Sequence, residues 1–433
     1  MKRKQPSTEL TTEQETALHH ALLGQHVFIT GPAGTGKSFL LQTMIKSLKT
    51  TKVVAITATT GIAAVNIGGT TLFNMFSMHP KMVDSGDVRS CKRWIDLDVL
   101  IIDEISMCDP ALFLALDKQA RVSRHVEKPF GGVQLIMIGD FFQLPPIVKQ
   151  PLSDKPLFIF QLPVYQAMMN GETGVNVELQ TIFRQSEHEF ATLLNHMRIG
   201  QLSATELTII KKIMDRPITE ASDGTGIQYT KLFGRKQNVA TVNQQEVRKI
   251  QSARVVYDME IQYGVGCEQF GTREKEKYKQ QVMKNISNDV SVELCVGAQV
   301  MLTANLDVRI GLANGARGVV LEFLDGYPIV QFVDTKVRVC LHKLEVELYP
   351  GATVTIQAMP LKLAYAITIH KSQGQSINFL ELHMGQCWEY GQCYTAFSRA
   401  TSMETLRIKE FTPQSVKAHP IVKEFYAQMS VCC

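Results

Sequence analysis

One eight-residue stretch, GPAGTGKS at Gly31–Ser38, constrains the fold of this chain more than any other feature. It matches the pattern G-x-x-x-x-G-K-[ST] and lies between an apolar run, HVFIT, and a helix-forming run, FLLQTMIKSLK. A glycine-rich loop in this position wraps its backbone N–H groups around phosphate oxygens at the start of the helix. The sequence therefore predicts an α/β fold with a phosphate-binding loop at the end of a sheet strand.

This loop is expected to bind ATP together with Mg²⁺. Lys37 is placed to reach the β- and γ-phosphates, and the Ser38 hydroxyl is placed to bind the metal ion. The residues predicted to contact the nucleotide here are Gly31, Pro32, Ala33, Gly34, Thr35, Gly36, Lys37 and Ser38. The motif by itself leaves the class of NTPase open.

A second buried run, VLIIDEISM at Val99–Met107, carries two adjacent carboxylates after its apolar residues. Asp103 is predicted to hold Mg²⁺ through water or through Ser38, and Glu104 to orient and deprotonate the attacking water. The alternative is a solvated turn, which the phosphate-binding loop upstream disfavours. Adjacent acids with separate roles indicate hydrolysis by water rather than phosphoryl transfer to a small acceptor.

Two glutamines complete the nucleotide site predicted from the residues. The run IGDFFQLPP at Ile138–Pro146 places Gln143 just after an apolar strand, where its amide can sense the γ-phosphate. The alternative for Gln143 is a structural role in capping a turn. Upstream, Gln14 offers a donor and an acceptor that can read an adenine edge, and it also completes a helix capping box with Thr11.

The chain is too long for a single hydrophobic core, since cores stop growing near about 250 to 300 residues. Its first half alternates apolar strands with helices, which is typical of a parallel sheet. The predicted strands are His26–Thr30, Lys52–Thr57, Val99–Ile102 and Gln134–Ile138.

A second unit is predicted to begin near Glu172, and it contains a predicted helix at Glu187–Gly200 that ends on its glycine. Between Val296 and Pro360 the sequence is rich in strand signals, and Asn314-Gly315 between apolar segments predicts a hairpin. The α/β pattern resumes after Pro360. We therefore expect a small β-barrel inserted within the second α/β unit.

Composition excludes several classes of protein. No run of about 18 apolar residues occurs, and the basic start MKRKQPSTEL has no apolar segment behind it, so we expect neither secretion nor a membrane span. Nine cysteines form no C-x-x-C pair, which predicts reduced thiols in the nucleus or cytoplasm rather than a zinc site or a disulfide frame. The net charge of +4 permits nucleic-acid binding without indicating it.

The order and spacing of the motifs resemble those of the superfamily-one helicases, specifically the petite-integration-frequency (Pif-type) family of 5′-to-3′ DNA helicases, relatives of RecD. The resemblance runs from about Leu10 to Tyr426, and Thr59 stands where the family usually has a proline. The segments that carry it are TATTGIAAVNIGGTTLFNMF (57–76), DEISMCDPALFLALDKQAR (103–121), KPFGGVQLIMIGDFFQLPP (128–146), LQTIFRQ (179–185), LCVGAQVMLTANLDVRIGLANGARGVV (294–320), PLKLAYAITIHKSQGQSINFLEL (360–382) and GQCYTAFSRA (391–400).

The resemblance implies a fold of class α/β, with two RecA-like parallel-sheet domains and a small β-barrel inserted in the second. The implied bounds are 1–172 for the first domain, 173–292 and 358–433 for the two parts of the second, and 293–357 for the barrel. ATP would bind between the two domains and draw them together. A short element at Met78–Arg89 would separate the duplex at the fork.

The resemblance also assigns further site residues. Arg184 and Arg399 would be arginine fingers, which neutralise the charge that develops on the γ-phosphate oxygens. Gln373 and Gly374 would lie near the nucleotide. The residues implied to bind the DNA strand are Thr60, Gly61, Asn66, Thr70, Thr368, His370 and Lys371. The implied partners are single-stranded DNA, DNA forks, and replication or repair proteins.

Other classes of protein remain as alternatives. A P-loop kinase would need an acceptor-binding lid, for which no segment stands out, and a ring-forming ATPase usually takes its arginine from a neighbouring subunit. A non-catalytic binding scaffold would be expected to have lost Lys37, Glu104 or an arginine, and this sequence keeps all of them. ATP hydrolysis measured with and without single-stranded DNA separates these classes.

Overall fold

The computed structural model describes residues 10–78, 80–146, 156–169, 172–183, 188–217, 226–264, 266–267, 270–276, 290–307, 310, 312, 314–332, 335–349, 352–385 and 387–431. The chain divides into two compact units. Unit 1 comprises Met1–Arg216, Ser372–Asn378 and Leu382–Cys433, and unit 2 comprises Pro217–Lys371 and Phe379–Glu381. These cuts do not coincide with the expected bounds at 172, 292 and 357, and the expected domain bounds stay a prediction.

Helices and strands alternate through the first half of the chain. The helices are α1 (Thr12–Leu22), α2 (Lys37–Leu48), α3 (Gly61–Asn66), α4 (Leu72–Met75), α5 (Pro80–Ser85), α6 (Pro110–Arg124), α7 (Pro163–Met169), α8 (His188–Arg198), α9 (Ala204–Met214), α10 (Lys236–Arg248), α11 (Gln392–Phe397) and α12 (Pro420–Val431). The strands are β1 (His26–Thr30), β2 (Val54–Ala58), β3 (Thr70–Thr71), β4 (Val99–Asp103), β5 (Gln134–Ile138), β6 (Gly174–Glu178), β7 (Thr230–Phe233), β8 (Arg254–Asp258), β9 (Glu260–Tyr263), β10 (Ser291–Cys295), β11 (Gln299–Leu302), β12 (Arg317–Leu324), β13 (Tyr327–Phe332), β14 (Lys336–Arg338), β15 (His342–Tyr349), β16 (Ala352–Ala358), β17 (Leu361–Leu363), β18 (Ala366–Thr368), β19 (Leu380–His383) and β20 (Leu406–Glu410).

The sheet of unit 1 has six strands in the order β3-β2-β4-β5-β1-β6, and each neighbouring pair is parallel. The predicted strands β1 and β5 are confirmed to the residue, and β2 and β4 are confirmed with shifts of one or two residues at their ends. Runs that are apolar on both faces mark strands covered by helices on each side. The carboxyl ends of β1, β4 and β5 meet at one edge, where the predicted nucleotide motifs follow them.

Strand β6 corrects one part of the sequence prediction. The restart of strand signals after Glu172 was expected to open the second unit, but β6 pairs with β1 along its whole length, from His26 opposite Gly174 to Thr30 opposite Glu178. A strand signal marks an extended segment and does not name its partner, so the sequence pattern could not distinguish a new sheet from an added edge of the old one.

The sheet of unit 1 is held in place by hydrophobic residues that pack on both of its faces. Val27, Ile29, Ile101 and Ile136 are buried and pack with the apolar faces of α1 and α2. On the other side, a group of aromatic rings joins the C-terminal helix α12 to the sheet through Phe425. Its members are Phe28, Phe141, Phe158, Phe160, Tyr165 and Phe425.

Unit 2 is mainly antiparallel, and most of its five-stranded sheet lies in the region from Val296 to Pro360 that was predicted to be rich in strands. This sheet has the order β14-β13-β12-β11-β17, with a core that includes Val300, Val320 and Val330. Smaller sheets pair β10 with β8, and β16 with both β15 and β9. Strands β7 and β18 form a parallel pair, which agrees with the α/β fold class. A closed barrel is not confirmed.

The tight hairpin predicted at Asn314-Gly315 is formed by a different pair of residues. Strands β11 and β12 are antiparallel partners, but residues 303–316 connect them, so Asn314-Gly315 belongs to a long connection. The tight hairpin joins β12 to β13 through Asp325-Gly326, both of which have positive φ, at 47° and 78°. That pair of left-handed residues matches the twist of the flanking strands, as a type I′ turn does.

In the part of the chain that the structure describes, no helix is both long enough and apolar enough to cross a bilayer.

Candidate nucleotide and strand site

The phosphate-binding loop follows β1 and ends at the first turn of α2, as its sequence predicted. All three of its glycines have positive φ, and at two of them an added Cβ would also meet a close neighbour. Gly31 has a φ of 141°, and a Cβ there would lie 2.4 Å from the Leu179 carbonyl oxygen. Gly36 has a φ of 80°, and a Cβ there would lie 2.8 Å from Nε2 of Gln14. The backbone of this loop therefore requires glycine for both its dihedral angles and its close contacts.

Lys37 and Thr35 hold the loop in its curled shape. The Lys37 ammonium donates to the carbonyls of Gly31 at 2.7 Å and Pro32 at 2.9 Å, and the Thr35 hydroxyl donates to Pro32 at 2.9 Å. Ser38, the predicted magnesium ligand, is exposed at the start of α2. A lysine folded over the loop with an accessible hydroxyl beside it is the arrangement that the motif predicts for binding phosphates and a metal ion.

Gln14 contacts the loop, although its amide already has partners. It forms the predicted capping box with Thr11, and its Nε2 donates to the Thr35 carbonyl at 3.3 Å. The role in reading adenine stays a prediction. Phe183 was not predicted as a site residue; its N–H donates to the Gly34 carbonyl at 2.8 Å, and its ring is 49% exposed beside Gly36. The signal that could have found it is an aromatic residue directly before Arg184 in LQTIFRQ.

The two acids of β4 differ in backbone conformation. Asp103 ends the strand, and its carboxylate accepts from the Glu104 N–H at 2.9 Å. Burial raises the pKa of Asp103 to about 7, with the charge of Glu104 acting in the same direction, while the Glu104 N–H and Lys37 oppose the shift. Glu104 has a left-handed conformation, with φ 52° and ψ 44°. A residue with a Cβ is strained there by about 1–2 kcal/mol, and such strain persists where surrounding contacts fix the backbone.

Gln373 and Gly374, implied only by resemblance, do lie at this carboxylate. The Gln373 side-chain amide donates to Oε2 of Glu104 at 2.9 Å, and a Cβ on Gly374 would lie 3.4 Å from Oε1 and 3.9 Å from the Asn66 amide. Gln373 is 2% exposed, and its Oε1 is buried without a partner among the described protein atoms. Three segments distant in sequence therefore meet at Glu104.

Arg399 and Gln143 form a direct pair. The Arg399 Nη2 donates to Oε1 of Gln143 at 3.3 Å and to the Ser398 hydroxyl at 2.9 Å, and its Nε donates to the Thr395 carbonyl at 3.0 Å. Arg399 is 3% exposed, and Gln143 is 5% exposed. Burial lowers the pKa of the guanidinium, and the charge of Glu104 opposes this shift. The structure thus brings a predicted finger and the predicted γ-phosphate sensor together within unit 1.

A buried ionic network that the sequence analysis missed supports the same edge of the sheet. Asp140, fully buried, accepts from Nε of Arg198 at 3.0 Å and from the Tyr394 hydroxyl at 3.1 Å. Burial alone would lower the pKa of Arg198, but Asp140 holds it above the ordinary value. The Tyr394 hydroxyl in turn accepts from the Ala33 N–H of the loop at 3.0 Å. Helix α11 is therefore attached to the phosphate-binding loop.

The residues implied to bind the strand are divided between the units. In unit 1, the Thr60 hydroxyl accepts from the Ala63 N–H at the start of α3, Gly61 opens that helix, and Thr70 lies on β3. In unit 2, Thr368 is buried and its hydroxyl accepts from the Lys371 N–H at 3.2 Å.

Next to Thr368, His370 is half-buried and Lys371 is exposed. Arg184 lies outside the described residues. The strand contacts and the finger role of Arg184 stay predictions.

The residues present fit Mg²⁺ bound together with a nucleotide. Among the described residues no group of three or more His, Cys, Asp or Glu side chains is placed to hold a metal. Mg²⁺ is commonly bound by one or two carboxylates, with substrate phosphates and water completing its shell. The Asp103 carboxylate beside Lys37 and the exposed Ser38 hydroxyl are hard oxygen donors of this kind.

Comparison with known proteins agrees with this geometry. The family described as PIF1-like helicase matches residues 9–208, and the DNA helicase Pif1 2B domain matches residues 278–323. The protein from Danio rerio named ATP-dependent DNA helicase PIF1 is 36% identical over 435 residues, covering 97% of this chain and 64% of the relative. The chain thus spans just under two thirds of that relative's length.

Two solved structures cover nearly all of the chain. The crystal structure of Pif1 helicase from Candida albicans has a TM-score of 0.82 and 33% identity, and the match covers 97% of this chain and 99% of that one. The crystal structure of Pif1 helicase from Bacteroides in complex with ADP-AlF3 and ssDNA has a TM-score of 0.70 and 29% identity, and the match covers 98% of each chain. The motifs, the fold and these similarities agree, and the chain belongs to the PIF1-like helicase family.

Proposed function

We propose that this chain is an ATP-dependent DNA helicase that moves 5′ to 3′ on single-stranded DNA and unwinds duplex or folded DNA. The observation that carries the ATPase part is the left-handed Glu104, which accepts a hydrogen bond from Gln373 and directly follows Asp103. The strand part is supported by family membership and by the Bacteroides relative, whose structure is described with ADP-AlF3 and ssDNA.

The chemistry assigned to each residue follows from its position. The loop N–H groups and Lys37 bind the phosphates, Glu104 takes a proton from the attacking water, and Gln143 with Arg399 neutralises charge on the γ-phosphate oxygens. Ser38 and Asp103 would hold Mg²⁺, which would supply positive charge to neutralise the phosphates. Arg184 is proposed as the second finger.

Phe183 adds a proposed contact for the base of the nucleotide. Its exposed ring lies beside Gly36 and offers an apolar face at the mouth of the loop. Stacking of a base on an aromatic ring tolerates different bases, so the specificity for adenine is assigned to Gln14. The proposed partners are single-stranded DNA, DNA forks, and replication or repair proteins, in the nucleus or the cytoplasm.

The first test is ATP hydrolysis by the unmodified chain with and without single-stranded DNA, together with strand displacement. We expect the strand to raise ATP turnover, and a duplex with a 5′ single-stranded tail to be unwound in preference to one with a 3′ tail. Equal ATP turnover with and without the strand would instead indicate a kinase or a ring-type P-loop ATPase without unwinding activity. Preferential unwinding of the 3′-tailed duplex would contradict the proposed polarity.

The second test concerns the strand surface of unit 2. The double variant His370→Ala, Lys371→Ala should bind all single-stranded sequences more weakly by about the same factor, because side chains that bind phosphates do not read bases. The slope of log affinity against log salt should flatten by about 0.7 for each phosphate that the variant no longer neutralises. Lys336→Ala, which removes an exposed lysine paired with Glu322 in the same unit, is the control and should leave the slope unchanged. An unchanged slope in the double variant would show that these two residues do not bind DNA phosphates.

A further inference from the structure

The backbone of Glu104 is fixed by a residue that has no role in the site described above. Thr59 lies just after β2, and its hydroxyl donates to the Glu104 carbonyl at 2.9 Å. Its N–H donates to the Asp103 carbonyl at 3.2 Å. Two adjacent acids are therefore held through their main chain by one threonine.

This hydrogen bond acts where the chain is strained. Glu104 has left-handed dihedral angles that its side chain disfavours, and such a conformation persists only when neighbouring groups fix it. The Thr59 hydroxyl binds the carbonyl of the strained residue itself. The N–H of Met107 donates to the same carbonyl at 3.1 Å, and the Glu104 N–H is held by Asp103. Without the hydroxyl, the main chain of Glu104 would be held less firmly and its carboxylate would be less accurately aimed.

The choice of threonine matters because its N–H and its hydroxyl each make one of these bonds. A residue without a side-chain donor could make only the first of them. The bond to the Glu104 carbonyl therefore depends on the hydroxyl. Thr59 also directly precedes Thr60 and Gly61, two of the residues proposed to contact the strand.

We propose that Thr59 is a positioning residue for hydrolysis, which holds the main chain of Glu104 so that its carboxylate faces the attacking water. The proposal rests on the proposed function, because it needs Glu104 to be the base. Thr59 acts through Glu104 and need not contact ATP. Its removal should therefore lower turnover and leave nucleotide and strand affinities almost unchanged.

The chain offers a matched control two residues upstream. Thr57 is buried on β2, and its hydroxyl donates to the Ile101 carbonyl of β4 at 2.6 Å. It therefore makes the same kind of bond, between the same two strands, at a residue that is not an acid. Thr57→Val tests whether removing any hydroxyl between β2 and β4 slows the enzyme.

The experiment measures kcat and KM for ATP with saturating single-stranded DNA, strand affinity, and thermal unfolding. Thr59→Val should lower kcat by about three- to tenfold, the range expected for one hydrogen bond, with KM and strand affinity within about twofold of the unmodified chain. Thr59→Ser keeps the hydroxyl and should restore most of kcat. Thr57→Val should leave kcat within about twofold, whatever it does to the unfolding temperature.

A second measurement asks whether Thr59 acts through Glu104. In single-turnover hydrolysis, adding Thr59→Val to Glu104→Gln should cause no further loss, because residues that act as one unit are not additive. The proposal is overturned by a normal kcat in Thr59→Val, by an equal loss in Thr57→Val, or by an additive loss in the double variant. A strand that fails to raise ATP turnover in the unmodified chain would instead overturn the proposed function.

Discussion

Arg399→Ala should lower kcat for ATP by about 10³ to 10⁵, the range found for arginine fingers, while KM for ATP changes far less. The guanidinium is fixed by hydrogen bonds to Gln143, Ser398 and the carbonyl of Thr395. A charge held in advance at the place where negative charge develops stabilises the transition state more than the bound substrate. Steady-state ATP hydrolysis with saturating single-stranded DNA measures the effect.

Two variants control for charge and for folding. Arg399→Lys keeps a positive charge but loses the planar fork, so it should recover only part of the turnover. Arg254→Ala removes an arginine that pairs with Glu293 in unit 2, and it should leave kcat unchanged. Thermal unfolding shows whether the buried site tolerates the change. A normal kcat with weakened strand affinity in Arg399→Ala would move this residue from the nucleotide site to the strand site.

The predicted nucleotide motifs could be found in the sequence because the residues of each motif determine its local backbone conformation. The loop needs its glycines because of their dihedral angles and their close contacts with neighbouring atoms. The apolar runs that predicted β1 and β5 begin and end at the same residues as the observed strands. Strand ends of one parallel sheet meet at one edge, so the motifs that follow β1, β4 and β5 could be expected to lie together. In these cases the local sequence was enough to predict the loop, the strands and the edge of the sheet at which the motifs lie.

Partners that are distant in the chain could not be predicted in the same way. Asp140 contacts Arg198, 58 positions away, and Tyr394, 254 positions away, and no local pattern links these residues. The partner of β6 was missed for the same reason. The left-handed backbone of Glu104 also carries no sequence signal, since the residue is not a glycine or an asparagine. Its proposed role as the base rests on chemistry, whereas the hydrogen bond from Thr59 is seen only in the structure.

The hairpin shows a different limit of sequence patterns. Asn314-Gly315 and Asp325-Gly326 are both residue pairs that favour a tight turn, and the hairpin was predicted at the first pair alone. The structure forms the tight hairpin at the second pair, where β12 and β13 pair directly on either side of the turn. Turn propensity is a weak local preference, and the pairing of the flanking strands decides which turn becomes a hairpin.

Glu104→Gln should keep ATP binding and lower hydrolysis by about 10² to 10⁴, because an amide cannot take a proton from the attacking water. The substitution is nearly isosteric, and the new side chain can still accept from the Gln373 amide through its oxygen, so the site should keep its shape. Removing one negative charge next to Asp103 should also reduce repulsion of the phosphates, so ATP affinity should stay equal or rise. Glu189→Gln, at an exposed position of α8, is the matched control and should hydrolyse ATP normally. Nucleotide affinity and single-turnover hydrolysis with saturating single-stranded DNA are the two measurements. Hydrolysis at the parental rate would show that another group is the base, whereas loss of ATP binding would mean that Glu104 shapes the nucleotide site rather than acting on the water.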